Sequence, residues 1–328
     1  MPDVLWDTLA FAAKAFVVFV TVLACAAVVF GRARAGRGRS RLRVRVERVN
    51  ERMGRAAEAV RRAGMDPKAA RRHHKELARR ERAAASSANP SVYVLDFKGD
   101  LLATAVESLR EEVSALALVV QPNDEVVVRL ESPGGAAHAY GLAASQLARL
   151  RDRGIRLTAC VDKVAASGGY MMAAVAERIV AAPFAILGSI GVAAPVPNLH
   201  RLLERHGVDY REMTAGEYKR TVSVFGEITD EGRRKFQAQL DETHGLFKDF
   251  VRRYRPALDV AQVATGEHWH GTRALELGLA DELATSDDYL LARLDRARIF
   301  EVRVERPRTL RGWLGRSFEL VRARLIGV

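Results

Sequence analysis

Ser167 stands between Ala165-Ala166 and Gly168-Gly169, where the strand-like run Arg156 to Val161 gives way to the small-residue stretch Tyr170 to Ala176. At such a strand-to-helix turn the amides after the serine lie free at a helix N-terminus, where negative charge is stabilised. The two glycines let a second backbone come close. These are the needs of an acyl-transfer nucleophile, although Ser-Gly-Gly also closes ordinary loops. To act, the serine requires a base for its proton and donors for the oxyanion. Glu131-Ser132-Pro133-Gly134-Gly135 follows a strand ending at Leu130, and the C-terminal edge of an open α/β sheet is where ligands bind. The amides of Gly134 and Gly168 are the expected oxyanion pair.

Three side chains are candidates for the base. His138 follows the glycine loop with no carboxylate placed against it. Lys163 lies four residues before Ser167, and Lys219 sits in Ala215-Gly216-Glu217-Tyr218-Lys219-Arg220. Each is equally readable as a solvated surface group. His268-Trp269-His270 has no Cys or Asp/Glu cluster at ligand spacing nearby, so neither a metal nor a cofactor is expected.

The elements that must position these residues alternate. Val92–Phe97, Val126–Leu130 and Leu157–Val161 read as strands, with helices over Ala105–Val120 and Ala139–Leu150 between them. That order argues for an α/β fold, a parallel sheet with packed helices. The apolar run Met171 to Val196 is broken by Glu177-Arg178, Pro183, Gly188, Gly191, Pro195 and Pro197. It reads as a buried helix followed by short core strands rather than a membrane span. Further on, a helix is expected over Asn198–His206 and a strand over Tyr210–Thr214. Thr229 caps a long helix ending at Pro256, with Phe236, Leu240, Phe247, Val251 and Tyr254 on its apolar face. Thr272 is placed to cap Arg273–Leu277, stopped by Gly278.

Charge is concentrated in one segment. The 328 residues carry a net +12, yet residues 31–82 hold 19 basic against 6 acidic side chains, and the remainder 33 against 34. Leu9 to Phe30 is apolar apart from Lys14, long enough to span a bilayer if that lysine snorkels. The eight arginines from Arg32 to Arg48 favour retention on the cytoplasmic side. Glu47 to Arg82 reads as a solvated spacer or lipid-surface helix, broken at Gly64-Met65-Asp66-Pro67. No aromatic residues interleave these charges, so no nucleic-acid partner is expected. Thr309 to Val328 reads as a basic amphipathic helix. Cys25 and Cys160 suggest no disulfide framework.

Five motifs occur in order: Ser-Pro-Gly-Gly at 132–135, Ala-Ser-Gly-Gly-Tyr at 166–170, Gly-Ser-Ile-Gly-Val at 188–192, Ala-Gly-Glu-Tyr-Lys-Arg at 215–220 and Ala-Leu-Glu-Leu-Gly-Leu-Ala-Asp-Glu at 274–282. Together they resemble the signal peptide peptidase A family of serine proteases. Val161–Met172, Glu242–Pro256 and Thr265–Trp269 are closer still to its SohB branch. The resemblance implies a ClpP/crotonase-like fold over 91–297, after a transmembrane anchor (1–31) and a basic helical spacer (32–90), and before a strand and basic tail (298–328). It implies a Ser–Lys dyad, with Ser167 as nucleophile, Lys219 as general base, Ser189 positioning the lysine amine, and Gly134 with Gly168 forming the oxyanion hole. A lysine serves as a base near neutrality only when burial lowers its pKa; Ile190, Val192, Val222 and Val224 are apolar neighbours that could do so. The expected partners are peptide substrates, a lipid bilayer and further copies of the chain, since the family forms rings in which neighbours complete the sites. A single-pass protein of the bacterial inner membrane follows. The arginines argue for a cytoplasmic catalytic domain, whereas the resemblance suggests a periplasmic one. The alternatives are a membrane-tethered, non-catalytic peptide-binding scaffold, and acyl-CoA chemistry on the related crotonase fold.

Overall fold

The computed structural model describes residues 43–66 and 89–305. The apolar run 9–30, the tail 309–328 and most of the basic segment lie outside the described residues. Among the described residues no helix is long and apolar enough to cross a membrane. Val44–Val304 forms one compact unit; a second unit holds, of the described residues, only Arg43 and Glu305.

The elements in chain order are β1 (Arg43–Arg48), α1 (Val49–Ala63), β2 (Ser91–Lys98), α2 (Val106–Leu116), β3 (Glu125–Glu131), α3 (Ala137–Arg151), β4 (Arg156–Val161), β5 (Val164–Ala166) and α4 (Gly168–Ala174). They continue with β6 (Arg178–Ala181), β7 (Ile186–Gly188), α5 (His200–Arg205), α6 (Asp230–Tyr254), α7 (Val260–Val263), β8 (His268–His270), α8 (Gly271–Glu276), β9 (Glu282–Leu283), α9 (Ser286–Leu291) and β10 (Arg298–Glu305). A seven-stranded sheet has the order β1-β10-β2-β3-β4-β6-β9, and a three-stranded sheet the order β5-β7-β8. From β10 to β9 the large sheet is parallel. In the small sheet β5 and β7 are parallel, and β8 runs antiparallel to β7.

The large sheet is buried on both faces, which is why β2, β3 and β4 read as nearly continuous apolar runs. Leu95, Phe97, Val126, Val128, Leu130, Leu157 and Ala159 face the core shared with α2, α3 and α4. Val92, Val94, Val127, Cys160 and Val180 face the other way, against Val49, Tyr289, Leu290 and Ile299. Thr229 caps α6 as expected, its hydroxyl accepting from the Gly232 amide at 3.0 Å.

Three local expectations fail. Tyr210–Thr214 forms no strand; it lies on an exposed arm, 192–229, with no strand among the described residues paired to it. Thr272 does not cap α8, which begins at Gly271 with His270 as its first flanking residue. The spacer is not wholly solvated. Val49 is 1% exposed, and the Asn50 side chain donates to the Leu294 and Ala297 carbonyls while accepting from the Ile299 amide. Few apolar residues on α1 concealed this attachment, because one valine and one amide carry it.

Charge joins the same elements. Arg129 on β3 grips Asp96 through two bonds of 2.6 and 2.9 Å and reaches Glu301 at 3.1 Å. Glu301, 4% exposed, also binds Arg52 of α1 at 2.8 Å and pairs with Arg303. Burial opposes the Asp96 charge, but Arg129 and then Arg303 outweigh it and hold the carboxyl below its usual range. A depressed carboxylate contributes stability that is full above the unfolded value of about 3.9 and is lost as pH falls through the folded one. Arg129→Ala takes from Asp96 its two-bond partner, leaving Glu301 with Arg52 and Arg303, and is expected to cost about 3 kcal/mol, measured by urea unfolding at pH 7. The gap to the wild type should narrow as pH is taken below about 4.

Candidate active site

The site lies where three parallel segments leave the small sheet side by side. Beyond β3, Ser132 bridges Ala165 of β5, its amide donating to the Val164 carbonyl at 2.8 Å and its carbonyl accepting from the Ala166 amide at 3.0 Å. On the other side of β5, Ala166 is in register with Gly188 of β7. Ser167 and Ser189 are therefore each one residue past a paired couple, and Gly134 comes two residues past the bridge. The Ser167 amide donates to the Gly188 carbonyl at 2.8 Å, and the Ser189 amide to the Glu267 carbonyl at 2.6 Å.

Both serines are strained. Ser167 has φ 51° and Ser189 φ 52°; among the described residues the only other non-glycine at positive φ is Ala103. Such backbone costs on the order of 1–3 kcal/mol and persists only where the surroundings over-determine it. Here neighbouring strands hold both turns, and Trp269 packs on Gly188 between them, 2.8 Å from where a Cβ would sit. His244 of α6 secures the next residue through a 3.1 Å bond to the Ile190 carbonyl.

The Ser-Gly-Gly and Pro-Gly-Gly motifs have a steric reason. Gly134, at φ +93°, lies so close to the Ser167 turn that a Cβ would fall 2.7 Å from the Ser167 Cβ and 2.9 Å from the Gly168 nitrogen. A Cβ on Gly168 would enter the Tyr140 ring. Tyr140 is buried, and burial raises its phenol above the usual range, so it is a neutral hydroxyl. That hydroxyl donates to the Asp100 carbonyl at 2.8 Å and lies 2.5 Å from the Ser132 Oγ, which in turn accepts from the Gly134 amide at 3.1 Å.

Gly134, Ser167, Gly168 and Ser189 thus come together. Lys219 does not join them through a hydrogen bond: its side chain is exposed on the arm and makes no hydrogen bond or ion pair among the described residues. Of its expected apolar neighbours Ile190 is buried, Val192 and Val222 are half-buried and Val224 is exposed. Lys163 is held in an exposed ion pair with Glu131 at 3.2 Å, and His138 is exposed at the start of α3. His268 and His270 are exposed, and no group of metal-ligating side chains occurs among the described residues. Sequence reasoning missed Tyr140, Trp269 and His244 as supports of the site. Only the glycines hinted at close neighbours, without saying which.

A fold and site of this kind define a family when compared with known proteins. The model for peptidase family S49 matches residues 149–298, and that for the peptidase family S49 N-terminal region matches residues 3–147. The chain belongs to peptidase family S49 and is of its SohB type. It is 56% identical over 228 residues to "Probable protease SohB" of Haemophilus influenzae, covering 70% of this chain and 65% of that protein. It is 58% identical over 205 residues to "Probable protease SohB" of Buchnera aphidicola subsp. Schlechtendalia chinensis, covering 62% of this chain and 67% of the relative. The matches therefore span about two thirds of these relatives' length. A solved membrane-bound stomatin-specific protease aligns over 63% of this chain and 80% of its own, at 16% identity and a TM-score of 0.40.

Gly168→Ala is expected to destabilise the fold by about 1–3 kcal/mol through overpacking, read from urea midpoints. In a double-mutant cycle with Tyr140→Ala the two costs should be less than additive, since the ring that the new methyl strikes is gone.

Proposed function

We propose that this protein is a membrane-anchored serine endopeptidase that hydrolyses peptide bonds through an acyl-enzyme, using a Ser167–Lys219 dyad. Ser189 orients the lysine amine, Gly134 and Gly168 supply the oxyanion amides, and the fold is of the ClpP/crotonase type. The observation that carries the reading is the convergence of Gly134 and two strained serines on neighbouring parallel strands. A positive-φ serine at a strand-to-helix turn is the geometry of an exposed nucleophile, and backbone strain clusters at active sites. Membership of a peptidase family and relatives named as proteases support the reaction class.

In the reaction, Lys219 accepts the Ser167 proton as Oγ attacks the peptide carbonyl. The amides stabilise the oxyanion, and the protonated amine then donates to the leaving nitrogen. Water repeats the sequence to release the acyl group. No cofactor takes part in this reading. The substrates are signal-peptide remnants or other hydrophobic peptides presented at the inner membrane, to which residues 9–30 and the basic segment attach the enzyme.

Lys219 requires a drier setting than the arm of one chain supplies. In this reading a second copy covers the arm, where Tyr210, Met213, Tyr218 and Phe225 are exposed, and the site is completed between subunits. Ser167→Ala and Lys219→Ala, purified in detergent, should each reduce hydrolysis of a fluorogenic hydrophobic peptide by at least about a thousandfold. Mixing the two inactive variants should restore a fraction of the activity. Wild-type rates in either single variant would refute the dyad, and no recovery on mixing would refute completion by a neighbour.

A further inference from the structure

The amide assigned to the oxyanion is already occupied. The Gly134 N–H donates to the Ser132 Oγ at 3.1 Å. Since the Tyr140 hydroxyl donates its one proton to the Asp100 carbonyl at 2.8 Å, it can only accept at the 2.5 Å contact with Ser132. The direction of the chain is thereby fixed: Gly134 N–H to Ser132 O–H to Tyr140 O–H to the Asp100 carbonyl. Ser132 is fully buried, so water does not compete for its oxygen. A hydroxyl that donates onward is a better acceptor, because successive hydrogen bonds polarise one another.

We propose that Ser132, backed by Tyr140, is a positioning residue that holds the oxyanion loop closed in the free enzyme. The Gly134 amide turns from the Ser132 oxygen to the substrate oxyanion as negative charge develops there. Glycine at φ +93° lets the Pro133–Gly134 peptide unit rotate without a side chain obstructing it. An oxyanion is the stronger acceptor, since hydrogen bonds to a charged partner are roughly twice as strong as neutral ones. The exchange is thus favourable in the transition state and unfavourable for a neutral ground-state carbonyl. The inference rests on the proposed role of Gly134 and goes beyond it, since it assigns the device that withholds the amide.

Removing the hydroxyl gives effects of opposite sign on stability and catalysis. In Ser132→Ala the buried amide loses its partner in the free protein, so the melting temperature falls. The same amide meets the substrate oxygen without first breaking a bond, so kcat/KM rises about two- to tenfold, the worth of one exchanged hydrogen bond, and KM falls because the freed amide also reaches the ground-state carbonyl. A peptide boronate, which places a charged oxygen in the same position, should bind tighter by a similar factor. Tyr140→Phe weakens the Ser132 acceptor without removing it, so it should shift kcat/KM the same way by less; it also serves if Ser132→Ala fails to fold. A fall in kcat/KM or boronate affinity in whichever variant folds, or no change in either, overturns the proposal. Hydrolysis that survives Ser167→Ala would instead remove the functional reading beneath it. If hydrolysis depends on Ser167 but slows in Ser132→Ala, the serine chemistry stands and the closed loop does not.

Discussion

The bond from the Ser167 amide to the Gly188 carbonyl is the constraint on which the site depends. It extends the pairing of two parallel strands one residue past their register, into a turn that neither strand would adopt alone. On one side that turn is flanked by Ser132, paired with the same strand, and on the other by Ser189, which repeats the positive φ. The small sheet therefore does more than cover the core. The ends of β3, β5 and β7 lie together, and each carries one element of the candidate site: a loop amide, a hydroxyl and a second hydroxyl. Because these ends are backbone-bonded to one another, their spacing is insensitive to side-chain repacking in the large sheet beneath.

Much of this was legible in the sequence. The branched runs that became β2, β3 and β4 are buried on both faces and leave no room for a different period. Thr229 followed by acidic residues marked the start of α6, because capping is local chemistry. The glycine pairs and Ser167 declared a crowded turn. What stayed hidden was nonlocal. Thr272 has the composition of a cap, but α8 follows β8 directly and begins at Gly271, two residues before the start that such a cap would set. Tyr210–Thr214 has strand-like composition but no strand beside it among the described residues, and pairing, not composition, makes a strand. Tyr140 lies eight residues after Ser132 on a helix; nothing in that spacing says that its ring lies against Gly168. Lys219 was singled out through family resemblance, and one chain leaves it in solvent.

The attachment of α1 changes how the basic segment is understood. Composition made it a spacer, yet Asn50 satisfies three backbone groups near the start of β10, and Arg52 joins the carboxylate cluster around Glu301. Position, rather than hydrophobic content, makes the element structural. An amide that replaces missing strand partners contributes through the groups it spares from being buried unpaired. Its helix can remain polar over most of its surface.

The strand order carries a consequence for synthesis. β10 lies between β1 and β2, so the element formed from residues 298–305 separates two that leave the ribosome long before it. The edge at β2 stays open until nearly the whole chain has emerged, and β1 has no seat until then. Such long-range closure is slow, and it leaves an unpaired parallel edge exposed during translation. A nascent chain arrested before residue 298 would carry the Ser167 turn complete and yet lack one wall of its principal sheet. Assembly of the Ser167 turn and completion of the fold are thus separated in time, which puts a premium on chaperone protection of the edge at β2 during that interval.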